Sequence, residues 1–397
     1  MIVAGARSAP PIDLRDDDAV AHRVDSVEGP DGQAFLIELM DERHPVYRGR
    51  GTTRTIQIRG YAMAAFARVG LPDRALMFLI EELESGVDAF LVAAAARGLR
   101  GLDGPERRVV PFLLRALCNI RDRDELLTFA TYKPTWPVVG ETTTALAEIL
   151  RTLALLGPHA AFALPQLVEL EAGSVGMPAV TRDALQEAIR SVQADPGVLT
   201  EADCCRGGEP ITPRPDTRRT PRTGQPPFRT RFEDQAGAPV TYGEAFIGAP
   251  SVVVFFYTRC TNPNKCSLTI TKLARLQQAI GAAGLAGRIR TAGITYDPAF
   301  DLPPRLRSYG ENRGMRFGPD DRLLRTTTAL GPVEGYFDLG VGFGAATVNR
   351  HRIEAFVVGP DGRLGASFSR LQWDVTEVRD AAIRLIRQPH PSHGGPT

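Results

Sequence analysis

The chain has 397 residues, with 47 Lys and Arg against 46 Asp and Glu, so its formal net charge is +1. A nearly neutral chain is not an all-over electrostatic binder of nucleic acid, and we expect no nucleic-acid partner. Hydrophobic residues make up 43% of the chain and charged residues 23%, an ordinary globular mix that can build hydrophobic cores. Five cysteines are too few for a disulfide scaffold at this length, so each one is judged by its neighbours.

Membrane-spanning and export segments are not expected from this sequence. No apolar run approaches the ~18 residues that a membrane span needs. The longest runs, residues 89–96 and 251–257, have the size of core segments. The first residues lack the basic start and the ~7–15-residue apolar stretch of a signal peptide. We therefore predict no transmembrane segment and no signal peptide in the sequence as it stands.

Composition and spacing divide the chain into five regions. In chain order they are a flexible arm, a helical domain, a Pro- and Arg-rich linker, an α/β domain and a flexible tail, at residues 1–33, 34–200, 201–227, 228–388 and 389–397. The arm is predicted because an acidic cluster at residues 16–18 stands among Gly and Pro. The linker is predicted because Pro-rich segments stay extended.

The helical domain repeats a short pattern of one apolar helix, a break that contains Gly and Pro, and a second apolar helix. The breaks lie at residues 70–72, 104–105 and 157–158. Gly ends a helix in a left-handed cap, and Pro is tolerated in the first turn of the next helix. Helix pairs at intervals of ~30–50 residues indicate an all-α solenoid that resembles HEAT-like repeats. The alternative is an irregular helical bundle in which the repetition is accidental.

The last large region is predicted to have the thioredoxin-like order of strands and helices. Two runs without polar alternation indicate strands that are buried on both faces, and helical spacing separates them. The predicted elements are strands at 251–257 and 289–296, helices at 268–282 and 304–313, strands at 351–358 and 364–368, and a last helix at 374–386. The fold class is therefore an N-terminal all-α solenoid followed by a C-terminal α/β thioredoxin-like fold.

Two cysteines stand where the first predicted strand gives way to a helix. Cys260 leaves the end of the strand, and Cys266 enters the helix six residues later. A helix N-terminus presents unpaired amides and positive charge, so Cys266 is predicted to have a lowered pKa, with Lys265 adding to the effect. The Asn-Pro-Asn sequence between them can fold the loop back, so that the sulfurs meet as a disulfide or as two ligands of one metal. Two unrelated buried cysteines are the alternative.

Residues 228 to about 388 resemble the Sco/SenC family, thioredoxin-like proteins that handle copper for cytochrome c oxidase. The resemblance runs through residues 253–260, Cys266 and the helix after it, and the segment 293–301. It closes with His351, which stands eight residues before the Gly-Pro-Asp-Gly turn. It implies that Cys260, Cys266 and His351 bind one copper ion.

The resemblance also carries expectations about function. It implies a metallochaperone-like accessory protein of cytochrome c oxidase assembly that binds Cu(I) or Cu(II). Its partner would be an oxidase subunit or another copper protein, in a periplasmic or other extracytoplasmic compartment. The helical repeats would dock that partner. The chemistry agrees, because thiolates are soft ligands that select Cu(I) and an imidazole allows Cu(II) as well.

Several alternatives stay open at this point. Five residues separate the cysteines where the family pattern has three, which lengthens the loop by at most ~7 Å. With a less pre-organised site, Cys260 and Cys266 could instead serve a thiol–disulfide oxidoreductase or peroxidase-like enzyme, or the domain could be a non-catalytic scaffold. Asp297 is predicted to orient His351 or the cysteine loop without binding the metal itself. The alternative is that it caps the helix that follows Pro303.

The remaining three cysteines are less informative. Cys118 lies in an apolar helix and is predicted to be part of the core. Cys204 and Cys205 are either an unremarkable pair or an auxiliary copper contact, because adjacent cysteines pair with each other only under strain.

Overall fold

The structure is a computed structural model that describes residues 12–132, 141–194, 224–345 and 347–387. The described residues up to 194 form a compact helical unit, and nearly all of those from 224 onward form an α/β unit. The predicted tail and most of the predicted linker, with Cys204 and Cys205, lie outside the described residues. The boundaries drawn from composition around the linker therefore stay predictions.

The helical unit is built from α-helices joined by short loops and 3₁₀ turns. Its α-helices are α1 (Asp17–Ser26), α2 (Gly29–Glu38), α3 (Thr52–Val69), α4 (Asp73–Ser85), α5 (Ala89–Gly98), α6 (Val110–Ile120), α7 (Ala145–Leu156), α8 (Leu164–Ala172) and α9 (Ala179–Gln193). Helix α3 packs against α5, α5 against α7, and α7 against α9, while α4 packs against α6. The all-α prediction is confirmed. Packing between helices two apart in the chain agrees with a solenoid, and the HEAT-like assignment stays a prediction.

The Gly-Pro-type breaks lie where the repeat pattern places them. Gly70 ends α3 with φ 91°, and Gly157 ends α7 with φ 53°. A residue without a Cβ atom adopts positive φ at little cost, so glycine stops these helices. Cys118 differs from its prediction because it is exposed. It lies on the side of α6 opposite the core-facing side chains such as Leu113 and Leu117.

The flexible arm predicted for residues 1–33 is wrong from Asp17 onward, because α1 and the start of α2 lie in it. Asp16 is the N-cap of α1, and its side chain accepts hydrogen bonds from the amides of Asp18 and Ala19. Asp17 and Asp18 occupy the first turn, where the positive end of the helix favours carboxylates. The acidic cluster therefore marks the start of a helix.

One run, Ala145–Ala172, is long and apolar enough by composition to cross a membrane, and 39% of its most apolar window is buried. The structure divides it into α7, a 3₁₀ segment (Gly157–Ala163) and α8, with non-helical angles at Ala160. The run is thus interrupted where the repeat pattern predicts a break. The absence of a transmembrane segment stays a prediction.

The α/β unit is organised around a mixed sheet of seven strands. Its strands are β1 (Arg231–Asp234), β2 (Pro239–Thr241), β3 (Ser251–Phe256), β4 (Arg290–Thr295), β5 (Asp321–Thr326), β6 (Val341–Phe343), β7 (Val348–His351), β8 (Glu354–Val358) and β9 (Leu364–Ser369). The sheet order is β2-β1-β5-β4-β3-β8-β9, and β6 pairs with β7 separately. Strands β3, β4 and β5 run parallel, while β8 and β9 join the other side of β3 as an antiparallel hairpin.

Helices cover both faces of this sheet. They are α10 (Tyr242–Phe246), α11 (Leu268–Ala282), α12 (Pro303–Glu311), α13 (Gly331–Phe337) and α14 (Val375–Arg387). Side chains of β3 alternate between two cores: Val252 and Val254 pack with α11 and α14, and Val253 and Phe255 pack with α13. The strand is buried on both faces, as its lack of alternation predicted. The thioredoxin-like α/β fold is confirmed.

Two details of the predicted order are wrong. The strand predicted at 351–358 is two strands, with a break at Arg352 and Ile353, so His351 ends β7 instead of opening the next strand. Strand β5 was not predicted, although it lies between β1 and β4 in the sheet. Its sequence, Asp321–Thr326, places charged residues among leucines and does not read as a buried strand.

Candidate metal centre

Three sequence elements meet at one end of the α/β sheet. Strand β3 ends at Phe256, and a loop that contains Cys260 follows it. A π-helical turn, Pro263–Ser267, then leads directly into α11 and carries Cys266. His351 ends β7, and two residues separate it from β8, which is hydrogen-bonded to β3 in the sheet. The strand-end and helix-start placement of the two cysteines is confirmed.

The side chains of these three residues converge. The Cys260 Sγ atom lies 3.4 Å from His351 Nε2, and the Cys266 Sγ atom lies 3.5 Å from the same nitrogen. All three atoms lie within 4.8 Å of one another, and both cysteines are free thiols. In the described part of the chain, this is the one group of His, Cys, Asp and Glu side chains arranged to hold a metal ion.

The His351 ring is oriented so that its Nε2 atom faces the sulfurs. Its Nδ1 atom lies 3.1 Å from the backbone carbonyl of Arg352. A carbonyl oxygen only accepts hydrogen bonds, so Nδ1 carries a proton, and Nε2 is the ring nitrogen that faces the sulfurs. The rings of Tyr257 and Tyr296 pack against the imidazole at 5.4 and 5.7 Å between centroids. The imidazole is therefore set in a ligating orientation before any metal arrives.

The two thiols have opposite electrostatic character. A hydrogen bond from the Cys266 thiol lowers the pKa of Cys260 to about 3, and His351 adds to this effect. Burial raises the pKa of Cys266, whose side chain is 1% exposed. The prediction that Cys266 is the acidic thiol is therefore wrong, because burial of this thiol and its hydrogen bond to Cys260 both favour the protonated form.

Asp297 contacts the cysteine loop and not His351. Its carboxylate accepts a hydrogen bond from Arg259 Nε at 2.9 Å, next to Cys260. It does not cap α12 either, because the N-cap position of that helix is Leu302, without a side-chain hydrogen bond. Of the predicted roles for Asp297, this geometry favours orientation of the cysteine loop.

Sequence reasoning assigned no role to Asp301, which fastens the start of the cysteine loop. Its buried carboxylate accepts hydrogen bonds from the Thr258 amide at 3.1 Å and from the Thr258 and Thr295 hydroxyls. These contacts join the end of β4 to the residues that follow β3. The signal was present in the sequence, since Asp301 closes the Asp-Pro-x-x-Asp segment that begins at Asp297.

Further contacts hold the segment between the cysteines. The Asn262 side chain accepts a hydrogen bond from the Asn264 amide at 2.9 Å, and Gln372 donates to the Asn264 carbonyl. The Lys265 Nζ atom donates to the His351 carbonyl at 2.9 Å. The five residues between the cysteines are thus fixed at several points, although the loop is long.

The SCO1/SenC family model matches residues 217–386. No curated protein matches the chain.

Similar solved structures include a SCO1/SenC family lipoprotein from Bacillus anthracis, with 20% identity, 42% of this chain and 98% of that chain covered, and a TM-score of 0.36. Copper-bound ScoI from Bradyrhizobium japonicum has 21% identity and a TM-score of 0.32, and the match covers 41% of this chain and 98% of that chain. Copper-bound yeast Sco1 has 21% identity and a TM-score of 0.34, and the match covers 44% of this chain and 98% of that chain. The family match identifies the C-terminal part of this chain, residues 217–386, as a domain of the SCO1/SenC family.

Proposed function

We propose that this protein is a copper-binding accessory protein of the metallochaperone type. The observation that carries the proposal is the convergence of Cys260 Sγ, Cys266 Sγ and His351 Nε2 within 4.8 Å. The family of the domain supports copper as the cargo, and it favours an oxidase subunit or another copper protein as the recipient. A docking role for the helical unit is part of the same proposal.

The donor set fits copper on chemical grounds. Two thiolates and an imidazole are soft to borderline ligands, which suit Cu(I) and also accept Cu(II). The Cys260 thiol, with its lowered pKa, is already a thiolate at neutral pH, whereas the Cys266 thiol loses its proton when the metal binds. Three protein donors leave a coordination position through which a recipient could take the ion. Asp301 and Lys265 fasten the loop and do not bind the ion in this proposal.

Anaerobic titration of the reduced full chain with Cu(I), against a chromophoric competitor, tests the proposal. We expect one copper per chain with thiolate charge-transfer absorption, and loss of stoichiometric binding in the Cys260→Ser/Cys266→Ser double variant. The His351→Ala variant should bind more weakly. The matched control is Cys118→Ser, which removes an exposed thiol outside the cluster and should bind as the wild type does. One copper per chain in the double variant would overturn the proposal.

A second candidate function, thiol–disulfide exchange, is favoured by the unequal pKa values of the neighbouring thiols. The Cys260 thiolate would attack a substrate disulfide, form a mixed disulfide and release one substrate thiolate. Cys266, after losing its proton, would then attack the Cys260 sulfur, form the Cys260–Cys266 disulfide and release the second substrate thiolate. The substrate is reduced and the protein is oxidised.

The variant His351→Ala separates the two functions. Dithiol exchange needs both sulfurs but no imidazole ligand, so reduction of a disulfide-bonded peptide should survive this change while copper affinity falls. Loss of peptide reduction in both Cys260→Ser and Cys266→Ser, together with no copper binding by the wild type, would favour the oxidoreductase. Tight copper binding without peptide reduction would exclude it.

A further inference from the structure

Lys265 is buried in the middle of the candidate site. It is 5% exposed, although lysine is among the residue types least often buried. Its Nζ atom donates a hydrogen bond to the backbone carbonyl of His351, across 86 positions of the chain. The side chain therefore links the segment between the cysteines directly to the residue that supplies the nitrogen donor.

The backbone of the turn explains how Lys265 reaches this position. Within the π-helical turn Pro263–Ser267, Lys265 has φ −112° and ψ −106°, which departs from helical geometry. Its neighbour Cys266 continues into α11. One residue thus carries the bridge to His351, and the next carries a sulfur that lies 3.5 Å from the ring of the same histidine.

The bridge joins two elements that supply different copper donors. The sulfurs of Cys260 and Cys266 come from one continuous loop, and they stay neighbours even if that loop shifts as a whole. The imidazole comes from a different element, so its distance from the sulfurs depends on contacts between the loop and the end of β7. Soft thiolates alone can hold Cu(I), whereas Cu(II) needs the nitrogen donor.

We propose that Lys265 is a positioning residue that keeps His351 within reach of the two sulfurs, and that it thereby decides whether the site holds Cu(II) as well as Cu(I). The inference rests on the proposed copper function and deepens it. Contacts around a metal ligand commonly change metal affinity by about 10- to 100-fold when they are removed.

The test compares Cu(I) and Cu(II) binding by the full chain and its Lys265→Met variant. We expect Cu(I) affinity to change less than about threefold and Cu(II) affinity to fall about 10- to 100-fold. Electron paramagnetic resonance of the Cu(II) form should lose its nitrogen hyperfine coupling, as in His351→Ala. In the metal-free variant, nuclear magnetic resonance should show altered imidazole nitrogen shifts for His351.

The chain offers a matched control in Lys272. Its Nζ atom also donates to a backbone carbonyl, that of Trp373 at 2.8 Å, in the same unit but outside the donor cluster. The Lys272→Met variant should keep both copper affinities and the nitrogen coupling. The Lys265→Arg variant, which keeps a donor and a positive charge, should recover part of the Cu(II) affinity. If Lys265→Met does not fold, Lys265→Leu takes its place with the same expected differences.

The outcomes distinguish failure of the inference from failure of the proposed function. A wild-type chain that binds no copper refutes the function itself. A wild-type chain that binds copper, with Lys265→Met unchanged in Cu(II) affinity and nitrogen coupling, refutes only the role of Lys265. An equal fall in Cu(I) and Cu(II) affinity also refutes it, because general loosening of the site would act on both ions.

Discussion

Two buried polar clusters, one in each unit of the chain, differ in how their groups are satisfied. In the helical unit, the fully buried Arg59 guanidinium lies 3.4 Å from Glu42 and 3.6 Å from Glu82, and it donates to the Met40 carbonyl. There, a positive charge meets negative charges and a carbonyl dipole. In the α/β unit, two sulfurs and an imidazole nitrogen instead face one another.

The difference separates a structural cluster from a binding site. Opposite charges that meet one another inside a protein offset part of their loss of hydration, and they call for no added ligand. Three lone-pair donors around one point are complete only when an electron acceptor joins them. Burial alone therefore does not indicate function, whereas the kind of group that is buried does.

The largest expected effect concerns the pH dependence of cysteine reactivity. Only the thiolate reacts with an alkylating agent. At pH values below its pKa, an ordinary thiol therefore reacts about tenfold faster for each unit by which the pH rises. With its pKa lowered to about 3, Cys260 should react at a rate that is nearly constant from pH 5 to pH 8. Peptide mapping by mass spectrometry after timed labelling measures this. A thousandfold rise in the labelling rate over that range would show that Cys260 is an ordinary thiol. The contrast between the donor cluster and the structural cluster would then be lost.

The next largest effect is expected in the structural cluster. Replacing Arg59 by Met leaves Glu42 and Glu82 buried without this cation, and breaking a buried pair in this way costs about 3–5 kcal/mol. Denaturant unfolding followed by circular dichroism should report that loss of free energy of unfolding. Copper stoichiometry of the folded fraction should stay at the wild-type value. A change below about 1 kcal/mol would mean that the cluster is not structural in the proposed sense.

The control for this change is Arg43→Ala. Arg43 pairs with Asp41 at 3.4 Å, with side chains 39% and 49% exposed. Exposed pairs contribute about 0–1 kcal/mol, so this variant should unfold close to the wild-type denaturant midpoint. The pair of variants separates the loss of an arginine from the loss of a buried charge.

A smaller effect is expected at Asp301, behind the cysteine loop. Burial raises the pKa of this carboxyl group, so the folded state binds the proton more tightly than the unfolded state does. The resulting stability is present at acid pH and is lost as the pH rises through the raised pKa. Replacing Asp301 by Asn should therefore cost about 1–3 kcal/mol at acid pH, below the raised pKa, and less at pH 8.

Urea unfolding of both proteins at several pH values measures this difference. Parallel stability curves for the wild type and the Asn variant would show that Asp301 does not carry the pH dependence. A cost that grows with pH would mean that the carboxylate is stabilised in the fold, against the direction given by its burial.

The donor triad could be predicted from sequence because local patterns mark the two cysteines and a family resemblance marks the histidine. Cys260 follows an apolar strand, Cys266 precedes a helical pattern, and the resemblance marks His351. Lys265 and Asp301 had no assigned partners because their contacts join residues that are far apart in the chain, such as Lys265 and His351. No local pattern encodes such a pairing.

Two other errors arose from reading charge by local rules alone. The acidic cluster at Asp16–Asp18 looked like a solvated arm, but it is an N-cap and a first helical turn. Cys266 looked like the acidic thiol because it starts a helix, but its burial was not visible from sequence. In both cases the charges were recognised, and their surroundings decided what they do.

The unequal exposure of the three donors gives ligand exchange a direction. Cys260 is partly exposed, whereas Cys266 and His351 are buried. In the proposed copper site, an incoming thiolate or imidazole from another protein reaches the ion from the Cys260 side and displaces that sulfur first. Cys266 and His351 would then release last, so the protein keeps hold of its cargo until a recipient has already bonded to it.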